Sequence, residues 1–261
     1  MFNEIIRAIT LVGPSGWGGQ LLKGMIITVE LALASLVIGL IAGAGLALAK
    51  LARSKTVNYL ADFYTIIIRG TPEFLILLLV YYGSNRAINY LFSSIGLHFY
   101  FEIPQFLAAV IGLAFIYAAY SSEVFVGAYR AVAKGQIEAG LVIGLSRWQL
   151  FYRIRVPLLW RFALPGLGNL WLSMIKDTSL AAVLAMNDLL RVAKVAGEAE
   201  RSNLLFFAYT GVVYLAMTAL SDYYLRKVEC HSRRYMVAQN STKKTKQKNP
   251  GKMATEGAHN V

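Results

Sequence analysis

Charge is scarce in this sequence. Only 15% of its 261 residues are charged, whereas about a quarter are in a typical soluble domain, and 57% are hydrophobic. Mean hydropathy is +0.52. The few charges are clustered, and between the clusters lie runs of roughly 20 or more largely apolar residues, enough to cross a hydrocarbon core of roughly 30 Å. A soluble fold is excluded, and an integral membrane protein is expected. Cysteine is nearly absent: Cys230 stands alone, which excludes an internal disulfide framework, and it reads as a bystander thiol just past the last apolar segment. The three histidines, His98, His231 and His259, are isolated and have no metal-ligand spacing. No Gly-x4-Gly-Lys-Ser/Thr run occurs, so any ATP chemistry has to come from another chain.

Acidic residues are also few, 14 against 26 basic ones, for a net charge of +12. The basic residues sit in loops and a tail and not along an amphipathic face. They therefore point to orientation in a membrane and not to nucleic acid. The first 20 residues hold Pro14 and no long apolar core, unlike a cleavable signal peptide. The first spanning helix is expected to direct insertion.

Five spanning segments can be read: Leu21 to Ala49, Val57 to Gly83, Pro104 to Gly127, Phe162 to Met186, and Leu204 to Leu225. The first is rich in small residues (Gly39, Ala42, Gly43, Ala44, Gly45) that permit close helix approach. The second is interrupted by Arg69-Gly70-Thr71-Pro72-Glu73, which predicts a kink or break packed against protein. Loop one carries Lys50, Arg53 and Lys55. Loop three, residues 128–161, carries Arg130, Lys134, Arg147, Arg153, Arg155 and Arg161 against a single acid, Glu138. Because Lys and Arg are retained on the cytoplasmic side, loops one and three and the C-terminus are expected inside and the N-terminus outside. The expected organisation is an external segment 1–20, a transmembrane domain 21–230 with a cytoplasmic loop 130–161, and a basic tail 231–261. The tail, polar and lysine-rich, is expected to be disordered in the cytoplasm, either solvated or touching anionic lipid. No internal repeat of the kind found in inverted-repeat transporters is visible.

Loop three is the informative part. Glu138, Ala139, Leu141 and Val142 suit a helix that Gly144 can end by adopting positive φ. Ser146 is a plausible N-cap for a second short helix, expected to end at Pro157. Two short helices with exposed apolar groups at the inner surface would form a rigid knob that needs a cytoplasmic partner.

The order Glu138-Ala139-Gly140, Gly144, Ile154, Val156, Pro157 resembles the EAA loop of ABC importer permeases. Gly140 replaces the family's second alanine and should loosen the first helix by up to ~1 kcal/mol; Val156 replaces leucine. Arg69-Gly70-Thr71-Pro72, Ala119-Tyr120-Ser121-Ser122-Glu123 and Lys176-Asp177-Thr178-Ser179-Leu180 are similar to segments of the histidine/glutamine-type permeases for polar amino acids. Within that group the chain most resembles the Q-type subunits of histidine, arginine/ornithine and octopine/nopaline importers. The resemblance implies an all-α, type I ABC importer permease with five transmembrane helices in a bacterial inner membrane. Its implied partners are a homologous M-type permease, an ATPase dimer carrying ATP and Mg, and an external solute-binding protein. The implied substrates are polar, above all basic, amino acids or opine-like derivatives, and the implied mechanism is alternating access driven through residues 138–157.

The candidate substrate path rests on intramembrane polar residues. Glu123, Asp177, Glu30, Thr178 and Ser179 fall in or at the ends of apolar segments. A charge there costs on the order of 2.5–3.5 kcal/mol and needs a partner or water. Acidic groups would suit a cationic amino acid. The alternatives are that Glu30 lies near the outer interface, that Lys176 and Asp177 satisfy each other, that Thr178 and Ser179 join helices, and that Arg69 anchors to lipid or a helix end. A gradient-driven transporter or channel subunit is the rival function, and it leaves the loop-three pattern unexplained.

Overall fold

A computed structural model describes residues 16–96 and 100–248, with side-chain surroundings given for residues 16–96 and 100–230. The secondary structure of the described residues is all helical, without strands. Helix α1 spans Gly18–Lys50, α2 Lys55–Gly70, α3 Glu73–Ser94 and α4 Gln105–Ala131. Then come α5 (Lys134–Val142), α6 (Arg147–Leu150), a π-helical turn (Phe151–Arg155), α7 (Val156–Asp177), a 3-10 turn (Thr178–Leu184), α8 (Leu189–Ala199) and α9 (Asn203–Lys248).

Among the described residues, three helices are long and apolar enough to cross a membrane: α1, α4 and the segment Asn203–Cys230 of α9. The α2–α3 pair passes the same test as one broken span, bent by 108°. The break falls at the expected place. Thr71 is extended, and Pro72, which cannot continue the α2 hydrogen-bond ladder, precedes α3. The segment expected as a fourth span is α7 plus the 3-10 turn, and α7 does not reach the apolarity of the other three. Pro165, Gly166, Gly168 and Asn169 interrupt it.

The centre of the molecule is the crossing of α1 on α4. The buried positions of α1 (Leu21, Gly24, Thr28, Leu31, Ser35, Gly39, Gly43, Ala47) recur every three or four residues and present one small-residue face. A Cβ at Gly43 would lie 2.9 Å from the Ala118 carbonyl oxygen, so only glycine lets the backbones approach this closely. The Ser121 hydroxyl donates to the Gly39 carbonyl at 3.1 Å across the same contact. Lipid is as apolar as the side chains, so packing and such hydrogen bonds hold these helices together.

Gly39 packs against Tyr117 and Gly43 against Ser121, so α1 and α4 run parallel. The chain must therefore cross back between them, and the α2–α3 pair makes that return. The Lys50 end of α1 and the loop after α4 consequently share one side. At the other end, Asn85 Oδ1 accepts from the Ile103 N–H and Asn89 Oδ1 from the Phe101 N–H, both at 2.8 Å, tying the segment before α4 to the end of α3.

From Asp222 onward the described part of α9 forms a second unit. Its contacts include a 2.7 Å ion pair from Arg226 to Asp222. The described part of this helix runs through Lys248. Extending an existing helix needs no new nucleus, and lysine and glutamine are good helix formers. Residues 1–15, His98 and residues 249–261 lie outside the described residues.

Candidate coupling loop and translocation site

The knob expected from loop three is present. Helix α5 ends in a Schellman motif: Gly144 has φ +82, its N–H donates to the Leu141 carbonyl at 3.0 Å, and the Leu145 N–H donates to the Gly140 carbonyl at 3.1 Å. Ser146 then starts α6 with a capping box. Its hydroxyl accepts from the Gln149 N–H at 3.3 Å, and its own N–H donates to Gln149 Oε1 at 2.9 Å. Gly140 is the pivot. A Cβ there would lie 2.4 Å from Leu150 Cδ2 and 2.8 Å from Ile154 Cδ1, so the missing methyl lets the two arms of the knob close on each other. The departure from the alanine pattern thus fits this packing, and the expected loosening of α5 is offset by contact with Leu150 and Ile154.

Pro157 does not end the second helix, as its residue type suggested. It sits in the first turn of α7, and the helical path from Arg147 runs through the π-helical turn into α7 without a break. The Val156 N–H bonds back to the Phe151 carbonyl, so the register has already shifted before the proline, which has no N–H to satisfy.

Glu138, Ala139, Gly144 and Pro157 are exposed, Ile154 and Val156 half-buried, and Gly140 buried. Around the tip stand exposed Val142, Ile143, Trp148 and Tyr152, with the Trp148 and Tyr152 rings stacked 5.5 Å apart. So much contiguous apolar surface on a polar loop marks an interaction face.

Within the bundle the intramembrane polar residues form two groups. The first surrounds Lys50, which is 8% exposed at the end of α1. Its ammonium donates to Glu123 Oε1 at 2.5 Å and to Thr65 Oγ1 at 2.8 Å, and lies 3.3 Å from Asp62. Arg69 lies 3.7 Å from the same Glu123 oxygen. Glu123 is therefore held by two cations, and this cluster joins α1, α2 and α4.

The second group was only half foreseen. The Tyr117 hydroxyl donates to Asp177 Oδ2 at 2.6 Å, and the Tyr120 hydroxyl to Glu73 Oε1 at 3.0 Å. The Tyr117 and Tyr120 rings stand 5.9 Å apart, which brings the Glu73 and Asp177 carboxyls to the same region. The Arg69 guanidinium sits 5.8 Å from the centre of the Tyr120 ring. Two carboxyls and two phenols thus converge where the broken span meets α4 and the end of α7. Glu73 was not singled out from the sequence, although its place directly after Pro72 in a broken span was a usable signal.

The other candidates separate. Among the described residues Lys176 and Asp177 form no ion pair; Asp177 is engaged by Tyr117 instead. Thr178 and Ser179 both donate to carbonyls three residues back, Ile175 and Lys176, at 2.6 Å. Glu30 is exposed on α1. A cleft of about 270 Å³ lined by Ile38, Leu46, Ile111 and Phe115 is apolar and unsuited to a polar solute. No group of three or more His, Cys, Asp or Glu that could hold a metal occurs among the described residues.

The family described as the binding-protein-dependent transport system inner membrane component matches residues 35–229. The chain belongs to that family. The permease is 38% identical over 222 residues to the histidine/lysine/arginine/ornithine transport system permease protein HisQ of Salmonella typhimurium, covering 85% of this chain and 96% of the relative. It is 36% identical over 218 residues to the nopaline transport system permease protein NocQ of Agrobacterium fabrum, covering 83% and 92%. A crystal structure of an amino acid ABC transporter with histidines superposes with a TM-score of 0.74 at 26% identity, covering 88% of this chain and 98% of that one. An inward-facing MetNI methionine ABC transporter shares the fold, with a TM-score of 0.65 at 15% identity, 81% of this chain and 95% of that chain being covered. Such proteins are transport components and not enzymes, and a gradient-driven mechanism is set aside with them.

Proposed function

We propose that this permease is one membrane subunit of an ATP-driven importer that carries cationic amino acids or opine-like derivatives across a bacterial inner membrane. The observation that carries the reading is the knob at residues 134–157, rigid through its Schellman motif and capping box and exposing Val142, Ile143 and Trp148. Such a face suits a separate ATPase dimer, which holds ATP and Mg and drives the bundle. Five crossings, with the N-terminus outside and the knob and C-terminus inside, accord with the basic loops. The shared side of Lys50 and residues 128–161 supports the same arrangement. The remaining partners are a homologous M-type permease and an external solute-binding protein. The span of α9 is only 11% buried, which leaves surface for that permease and for lipid.

For the substrate path we favour Asp177 with Glu73, Tyr117 and Tyr120 over Glu123, because Lys50 and Arg69 already neutralise Glu123. Carboxyls gathered in one place offer acceptors that a substrate ammonium or guanidinium would pair with. Thr178 and Ser179 bound the same region, and Glu30 lies apart from it.

The test is reconstitution of the assembled importer in vesicles with its binding protein. Glu138→Lys and Gly144→Glu should lower ATP-driven uptake by about tenfold or more while both variants still insert, since the first reverses a charge at the docking face and the second forces a side chain into positive φ. Wild-type uptake by both variants would remove the coupling role.

A further inference from the structure

Beneath the knob, where α4 leaves its span, lies a cleft of about 400 Å³ whose basic residues the coupling role does not use. Arg130 in the last turn of α4, Lys134 in the first turn of α5 and Arg155 at the end of the π-helical turn line it, with Glu138 the only carboxylate. Arg155 is fixed in place: one guanidinium nitrogen donates to the Tyr129 hydroxyl at 2.8 Å, and its carbon sits 4.7 Å from the centre of that ring. Tyr129 lines the cleft too, so this cation is held at its wall.

Arg130, Lys134 and Glu138 enter no ion pair among the described residues. Three cations therefore face one carboxylate that does not engage them. Lys134 also stands at the positive end of the α5 dipole, where a cation is disfavoured. Converging charge of one sign is unfavourable unless an anion enters. The volume admits a phosphate group, and paired guanidinium and ammonium donors match its oxygens.

We propose that this cleft seats the phosphate of an anionic phospholipid, pinning the base of the knob to the membrane surface. The place in the fold favours lipid over a soluble anion. The cleft opens at the end of a helix long enough to span a membrane, where headgroups of the inner leaflet would lie. The proposal rests on the reading that residues 128–161 face the cytoplasm.

The experiment uses the complete importer in phosphatidylcholine nanodiscs containing phosphatidylglycerol. The phosphatidylglycerol retained after extraction and washing is counted by native mass spectrometry. Wild type should retain it, and Arg130→Gln with Lys134→Gln should weaken retention on the order of tenfold. Arg130→Lys with Lys134→Arg should keep it, which separates lost charge from lost folding. Equal retention by the wild type and the glutamine variant overturns the proposal. So does a wild-type complex that binds radiolabelled inorganic phosphate but holds no phosphatidylglycerol. ATPase co-purification is read on the same samples. A coupling loop wrongly assigned would show as an ATPase still bound to Gly144→Glu, a result that leaves the lipid count untouched.

Discussion

Lys50 is the residue on which most of the inner polar network depends. Its ammonium is buried, whereas the Asp62 and Glu123 side chains that it satisfies are 58% and 40% exposed. Removing the cation leaves carboxylates facing low dielectric, and removing both partners of a pair is milder than removing one. Lys50→Met should therefore destabilise by about 1–3 kcal/mol, less than the ~3–5 kcal/mol of a fully buried pair, because Glu123 is partly solvated. Adding Glu123→Gln should recover part of the loss, as measured by thermal unfolding in detergent; an additive double variant would contradict direct coupling.

Asp188, the N-cap of α8, is a different case and lies outside the spanning helices. Its carboxylate accepts from the Arg191 and Leu190 N–H groups at 3.1 and 3.3 Å, yet burial pushes its pKa up to about 6. A carboxyl raised in the folded state favours folding below its unfolded pKa of about 3.9, and that contribution is lost as pH rises through about 6. Asp188→Asn keeps a cap oxygen and removes the titration. Its melting temperature should lose the part of the pH dependence that wild type shows between about pH 4 and 6. Identical pH profiles would exclude Asp188 as the source.

At the scale of elements, close approach governs both the bundle and the knob. Gly43 sets the spacing of α1 on α4, and Gly140 sets that of α5 on Leu150 and Ile154. Their neighbours differ: the Ala118 carbonyl and the short Ser121 side chain meet Gly43, but flexible side-chain ends meet Gly140. Gly43→Leu should therefore be severe, costing several kcal/mol through overpacking, with sharply reduced yield of folded protein in detergent. Gly140→Ala should be mild by the same assay. Small-residue periodicity made the first contact readable in sequence. Gly140 read only as a weak helix former, because its partners are ten and fourteen residues further along. The π-helical turn was equally hidden, since nothing local distinguishes a proline that stops a helix from one that opens the next.

For the whole molecule, the proposed coupling requires that a nucleotide-driven partner docked at the knob act on polar groups deep in the bundle. The Glu73–Asp177 group joins α3 to α7, and α7 continues from the knob through the π-helical turn, so one helical path connects docking face and candidate substrate site. Asp177→Asn should lower uptake of arginine or lysine on the order of tenfold while sparing a neutral amino acid, in vesicles carrying the whole importer. Equal losses for both substrates would assign Asp177 to the Tyr117 hydrogen bond and not to substrate charge.

Membrane residence, the break at Arg69–Glu73 and the cap residues of the knob follow from the sequence alone, because apolar run length, proline chemistry and helix capping act within a few residues of themselves. Which acids meet which cations could not be read that way. Glu123 pairs with Lys50 across 73 positions, and Asp177 meets Tyr117 across 60. Those pairings are settled by the parallel packing of α1 on α4 and by the fold of the broken span against them, since charges this far apart in the chain become neighbours only when helices pack.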